Sequence, residues 1–352
     1  MRVEVFATGF VNPRGIAFRS DGSMFVAEAG FGGEQAVEVG WAEPLLIGRT
    51  GQITRISPGG TRYSMVYGIP SVVTAGGEEV GPSALAFIDD TLYVLTASGD
   101  WEIGDSAYNS GIFRLTPDGR LDEVFDYTEY VKAGPALARH EGPRADVPAG
   151  MLYGLAALDD RLYIADGNQE HVVEVDPATG AGRLIAEYAA PNVARTGSPA
   201  GPDGTLYVAE FATNKVTRIG LDGTVTDAAT NLRAPIAVAF DPTGALYVLE
   251  HTGRLLRTAS AGQEQTDVLI EGLNEPTAMA FAPDGNLHVA VNGRTAAHGE
   301  GMILRVKLAP DPPGHELRHL PVILSWGIGL SVFAVFMVMG WRNRRRESTA
   351  TY

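Results

Sequence analysis

The chain contains no cysteine. That excludes disulfide staples and thiolate chemistry but leaves the compartment open, because an exported protein need not carry disulfides. Basic residues are also in short supply. There are 27 Lys and Arg against 42 Asp and Glu, a net charge of −15, with few lysines among them. So acidic a chain offers no electrostatic footprint for a nucleic-acid backbone, and no nucleic-acid partner is expected. Two common catalytic signatures, Gly-x-Ser-x-Gly and the phosphate loop, are absent too. The 352 residues do include 43 glycines and 21 prolines, spread among short apolar runs. That balance favours an all-β protein large enough to build a sizeable core.

The runs repeat. The stretches RSDGSMFVAEAG (19–30), FIDDTLYVLTAS (87–98), ALDDRLYIADGN (157–168), GPDGTLYVAEFA (201–212), DPTGALYVLEHT (241–252) and APDGNLHVAVNG (282–293) are variants of one unit. Each couples a turn, usually Asp-Gly or Asp-Asp, to a β-branched or aromatic run, the signature of a tight hairpin. Each follows another apolar run, such as GIAF or AVAF, and most precede two more, such as GQITRI and TRYSMVYG. Four short antiparallel strands per unit define a propeller blade. The corresponding residues Glu28, Thr96, Asp166, Glu210, Glu250 and Val291 mark the six units. The last three intervals are about one blade of 40–45 residues each, and the first two are one blade plus an insertion. The last unit lacks a fourth strand, whereas the chain begins with VEVFATGFVNP, which reads as one. The expectation is therefore an all-β, six-bladed β-propeller over residues 1–308, closed by its own N-terminal strand. Closure removes sheet edges that would otherwise be free to pair.

Beyond the propeller, APDPPGHELRH (309–319) reads as a stiff polar linker. Residues 321–341, PVILSWGIGLSVFAVFMVMGW, carry no charge. As a helix they would be about 31 Å long, the thickness of a bilayer core. A transmembrane helix over 320–341 is expected, with Trp326 and Trp341 at the interfaces. Arg342, Arg344, Arg345 and Arg346 begin a basic tail over 342–352, expected in the cytoplasm with the propeller outside. Ser325 and Gly329, like Gly327 and Ser331, have the small-residue spacing that lets helices approach closely. An exported propeller needs a signal sequence, and MRVEVFATGF is not one, so a segment ahead of residue 1 is expected.

With these units in view, NPRGIAFRSDGSMFVAEAG resembles the hallmark of NHL-type six-bladed propellers. The order NPRGIAF…MFVAEAG, GRTGQITRI, GPSALAF…TLYVLTASG looks most like the ScyD/ScyE family, over most of residues 3–307. That resemblance implies a secreted or membrane-attached protein and no established reaction. The repeats are also similar in style to the senescence-marker/gluconolactonase group, which implies metal-dependent lactonases, and to the streptogramin B lyase group. Fold likeness does not transfer activity.

Four of the six marker residues are acidic: Glu28, Asp166, Glu210 and Glu250. All end the second strand of a blade, near one mouth of the channel, here called the top. A ring of oxygen ligands there would suit Ca²⁺ or another divalent cation. The alternative is a structural charge network with Arg14, Arg195 and Arg233, which enter the same face. Insertions over 29–50, 99–110 and 126–150 map to the top as well and bring Trp41, Trp101, Tyr108, Tyr127 and Tyr130. These are residue types that anchor protein interfaces. Taken together, the sequence predicts a membrane-anchored extracytoplasmic binding or scaffold module, an accessory subunit with other protein subunits as partners. The alternative is a metal-dependent lactonase-like hydrolase or lyase working from the same face.

Overall fold

The computed structural model describes residues 1–38, 44–73, 77–97, 109–134, 152–167, 171–187, 200–258, 266–294 and 299–308. These form six antiparallel sheets, one per sequence unit. The first blade runs outward from the axis as Pro13–Phe18, Met24–Glu28, Leu45–Ile56 and Arg62–Val73. The second is Pro82–Ile88, Thr91–Thr96, Gly111–Leu115 and Leu121–Asp126, and the third Leu152–Leu158, Arg161–Asp166, His171–Asp176 and Ala181–Glu187. The fourth has Leu206–Glu210, Lys215–Ile219 and Val225–Ala229, with its innermost position marked by the bridge Ala200–Leu206. The fifth is Pro235–Phe240, Leu246–Glu250, Leu255–Thr258 and Thr266–Ile270.

In the sixth blade, Ala278–Phe281, Leu287–Val291 and Gly301–Lys307 come from the end of the propeller and Arg2–Phe10 from its beginning. Arg2 pairs with Lys307, Glu4 with Arg305 and Phe10 with Gly301. The N-terminal strand thus closes the ring as the repeat predicted.

The core is divided among the blade interfaces. Six apolar clusters each join two adjacent blades; one sets Phe25, Ala27 and Ile53 of the first against Leu85, Leu92 and Val94 of the second. The period-two pattern of each strand buries both faces because a blade has a neighbour on each side. The polar Asp turns brace the blades from below. In the fifth blade Tyr247 OH donates to Asp241 Oδ2 at 3.3 Å, and Arg257, directly across from Tyr247, lies 3.8 Å from the same oxygen. Tyr207, Asp203 and Arg218 repeat the arrangement in the fourth.

The insertion in the first blade builds something of its own. Its two outer strands are 12 residues each and rise above the top face, where Gln35–Val37 and Glu79–Val80 join them. Leu45, Ile47, Val72 and Val80 form a small separate core there. The backbones come too close for side chains: a Cβ on Gly48 would stand 2.3 Å from the Gly32 carbonyl oxygen.

Among the described residues no helix is long and apolar enough to cross a membrane. The linker 309–319, the apolar segment 320–341 with Trp326 and Trp341, and the tail 342–352 with Arg342, Arg344, Arg345 and Arg346 lie outside the described residues. So do Trp41, Trp101 and Tyr108.

Candidate functional site

The four marker carboxylates occupy corresponding places, at the ends of the second strands of their blades. Among the described residues no group of three or more His, Asp or Glu could hold a cation. Glu28, Asp166, Glu210 and Glu250 are almost fully buried, and each engages partners within or next to its own blade. Glu28 accepts from Thr54 Oγ1 at 2.5 Å and from the backbone N–H of Val11 at 2.6 Å, with Arg62 Nη2 at 3.4 Å. Glu250 accepts from Arg254 Nε at 2.5 Å and Nη2 at 2.8 Å, and from the backbone N–H of Arg233 at 2.7 Å. Glu210 accepts from Thr213 at 2.5 Å, with Lys215 at 3.9 Å. The partners of Glu28, Glu210 and Glu250 are thus local rather than shared across the channel. Carboxylates taken out of water need hydrogen bonds and counter-charges at once, and these stay local.

The counter-charges are not the expected ones either. Arg62, Lys215 and Arg254 supply them; Arg14 turns to other acids, Arg233 contributes its backbone, and Arg195 lies outside the described residues. Glu28 and Glu250 share a purpose. Each holds the N–H two residues before the proline that opens an inner strand, next to a residue in the left-handed region: Asn12 at φ 51° and Ala234 at φ 51°. A left-handed non-glycine residue costs about 1–3 kcal/mol, and the buried carboxylate fixes the turn that imposes it.

Asp166 has a different neighbourhood. Tyr127 OH donates to Asp166 Oδ2 at 2.7 Å and stands 2.5 Å from His171 Nε2, all three side chains being buried. Burial, reinforced by Asp166, pushes the Tyr127 hydroxyl well above its ordinary pKa. Tyr127 begins a short helix, Tyr127–Ala133, capped by Asp126 accepting from Glu129 N–H. The helix turns Tyr127 into the core between the second and third blades, so Tyr127 is no anchor for a partner. Tyr130, half-buried, packs on Phe125 at 5.3 Å between ring centres.

The residues that do converge lie at the top of the channel. Glu78 and Glu79 end the raised sheet and reach across the mouth. Tyr153 OH donates to Glu78 Oε1 at 2.8 Å, Arg294 Nη2 donates to it at 3.1 Å, and Arg14 Nη1 stands 3.9 Å from it. Two blades thus donate to one oxygen and a third brings a guanidinium close to it. Arg14 Nη2 also donates to the backbone carbonyl of Glu79 at 2.9 Å. The Glu79 carboxyl, 3.5 Å from Arg14, is pushed up by burial, which outweighs the nearby guanidinium groups. Beneath lies a cavity of about 460 Å³ walled by inner-strand residues such as Ile16, Ala84, Leu155, Ala237 and Met279. A smaller space of about 30 Å³, bounded by Arg14, Glu78, Tyr153 and Arg294, remains in the mouth.

Sequence reasoning missed this cluster. Glu78 and Glu79 belong to no repeat, and nothing in their spacing says which way they point. The linker also spells His315, Glu316, Leu317, Arg318, His319. That spacing holds zinc when both histidines share a helix face; the segment lies outside the described residues.

The fold and channel define the class, a six-bladed β-propeller. No protein-family model and no curated protein sequence matches the chain. Solved structures do match in fold. A glucose dehydrogenase superposes with a TM-score of 0.58 at 16% identity, over 88% of this chain and 100% of that one. The PQQ-bound aldose sugar dehydrogenase of Streptomyces coelicolor gives 0.54 at 16%, over 87% and 98%. A virginiamycin B lyase from Staphylococcus aureus gives 0.51 at 14%, over 88% and 99%. At such identities the likeness is one of fold.

Proposed function

We propose that this chain is a membrane-tethered, extracytoplasmic propeller that works as a binding or scaffold module, an accessory subunit of a larger membrane assembly. The observation that carries this reading is the raised sheet of the first blade, which extends the top face and presents Leu46, 42% exposed, above it. An extra layer with its own core, placed where the channel opens, suits recognition. The ScyD/ScyE resemblance and the uncharged segment followed by arginines support the tether.

Two measurements test it. The full chain in native membranes should migrate in a larger assembly. Leu46→Glu should release it, whereas Leu221→Glu, an exposed residue on the opposite face, should not. A chain that runs alone, or responds equally to both changes, refutes docking. Cysteines at Glu34 and Thr351 should label from opposite sides of sealed cells, and labelling from one side refutes the tether.

The second reading is a lactonase-like hydrolase or lyase that binds its substrate in the channel. The cavity of about 460 Å³ favours it, being in the range of small-molecule sites. For a divalent cation such as Ca²⁺ to use Glu28, Asp166, Glu210 or Glu250, it must displace the partners described above. Metal analysis of the purified protein, with a Glu210→Gln, Asp166→Asn double variant beside it, separates the two readings.

A further inference from the structure

The Glu78 side chain, just ahead of the short strand Glu79–Val80, is a carboxylate held by donors from other blades. One oxygen receives Tyr153 from the third blade and Arg294 from the sixth, with Arg14 of the first close by. Among the described residues, these two arginines balance the two glutamates when both carboxyls are ionised. Arg14 is only 5% exposed at its side chain, lines both the mouth and the cavity, and has a buried Nε–H without a hydrogen-bond partner among the described residues. A buried guanidinium donor left unused is unfavourable unless something else satisfies it. Below it the walls turn apolar, with Ile16, Ala84, Ala237 and Met279 in the upper cavity and Phe18 and Phe240 at the lower ends of their strands.

From this we infer that the channel is a receptor for a small monocarboxylate with an apolar tail, and that Glu78 is its built-in competitor. The ligand carboxylate takes the place of the Glu78 carboxylate among Arg14, Tyr153 and Arg294, and its tail enters the cavity. A monoanion keeps the cluster neutral when Glu78 withdraws, whereas a dianion such as phosphate leaves an excess negative charge beside Glu79. Arg and Tyr donors around one oxygen also suit a planar carboxylate. Glu78 precedes the short strand Glu79–Val80 rather than standing on an inner strand, so its side chain can turn away while the strand keeps its pairing.

The inference does not depend on the top-face docking reading. Leu46→Glu should abolish docking without touching carboxylate binding, and changes in the mouth should do the reverse. The test uses the full chain in lipid nanodiscs and equilibrium dialysis of radiolabelled hexanoate, with empty nanodiscs as the blank. Wild type should bind weakly. Glu78→Ala should bind at least ten-fold more tightly, and Arg294→Ala on that background should lose the gain. Hexanamide, the neutral counterpart, should not compete. If Glu78→Ala does not fold by thermal melting, Glu78→Gln serves in its place, since it removes the charge and keeps the volume. Binding no tighter than wild type, or equal competition by hexanamide, overturns the inference.

Discussion

His288 gives the sharpest handle on ring closure. It occupies the place filled by Phe25, Tyr93, Tyr163, Tyr207 and Tyr247 in the other blades, each opposite a residue of the third strand. Here that residue is Arg305. The imidazole lies 4.9 Å from the Phe6 ring on the closing strand and 5.0 Å from the Phe18 ring on the first blade. It is 3% exposed, and its Nδ1 has no hydrogen-bond partner among the described residues. Burial pushes its pKa from 6.5 down to about 4, with Asp284 opposing and Arg305 assisting the shift. Between these two values the unfolded chain holds more protons than the folded one. Stability therefore falls as pH drops from about 6.5 to about 4 and loses nothing further from this group below that. At 1.36 kcal/mol per pKa unit the loss amounts to about 3 kcal/mol. His288→Phe restores the aromatic residue of the repeat and cannot titrate. Urea unfolding of residues 1–308, followed by far-ultraviolet circular dichroism at pH 7 and pH 4, measures the difference. Wild type should lose about 3 kcal/mol more than the variant across that range. Curves that stay parallel within about 0.5 kcal/mol would show that the ring is not held buried and neutral.

Other consequences concern the carboxylates and the closing strand. Glu250→Gln should cost about 3 kcal/mol, because it leaves Arg254 without its two-pronged partner; Glu28→Gln should cost less, since Arg62 is 36% exposed and only 3.4 Å away. Equal losses in urea unfolding would contradict that order. Tyr127→Phe should cost about 1–3 kcal/mol by removing a buried hydrogen bond to Asp166, and a loss below about 0.5 kcal/mol would mean that the bond is immaterial. Deleting residues 1–9 strips the outer strand from the sixth blade and should abolish cooperative unfolding; a truncated chain melting like wild type would refute closure by that strand.

The architecture was legible because it repeats. Six Asp turns, six aromatic or apolar runs and a missing last strand define blade count and closure without any tertiary knowledge. One further regularity was available and passed over. QITRIS, GIFRLT, KVTRIG, LLRT and ILRVK each place an arginine on the third strand, and that arginine meets the aromatic residue of the second. The site was less legible. The positions of Glu28, Asp166, Glu210 and Glu250 follow from the repeat, but the direction of a buried side chain depends on which neighbour can neutralise it. Lys215 and Arg254 stand opposite Glu210 and Glu250 at the head of the third strand, but in the first blade that place is held by Gln52 and the counter-charge comes from Arg62 on the fourth strand, so the pattern breaks across the blades. Tyr127 misled for a related reason. Its residue type suggests an interface, yet the helix cap at Asp126 rotates it inward onto Asp166.

The pairing of Arg2–Phe10 with Gly301–Lys307 sets a timetable for biogenesis. The first strand to be synthesised is the last to find its partner, because nearly the whole ring must be made in between. At about 5–20 residues per second the wait is on the order of 15–60 s. Throughout that interval Phe6 and Phe10 lack their neighbours on the sixth blade, and one sheet edge stands open to strangers. A holding factor, or passage through a narrow conduit that keeps the chain extended, would therefore benefit this protein more than one whose strands pair in order of synthesis.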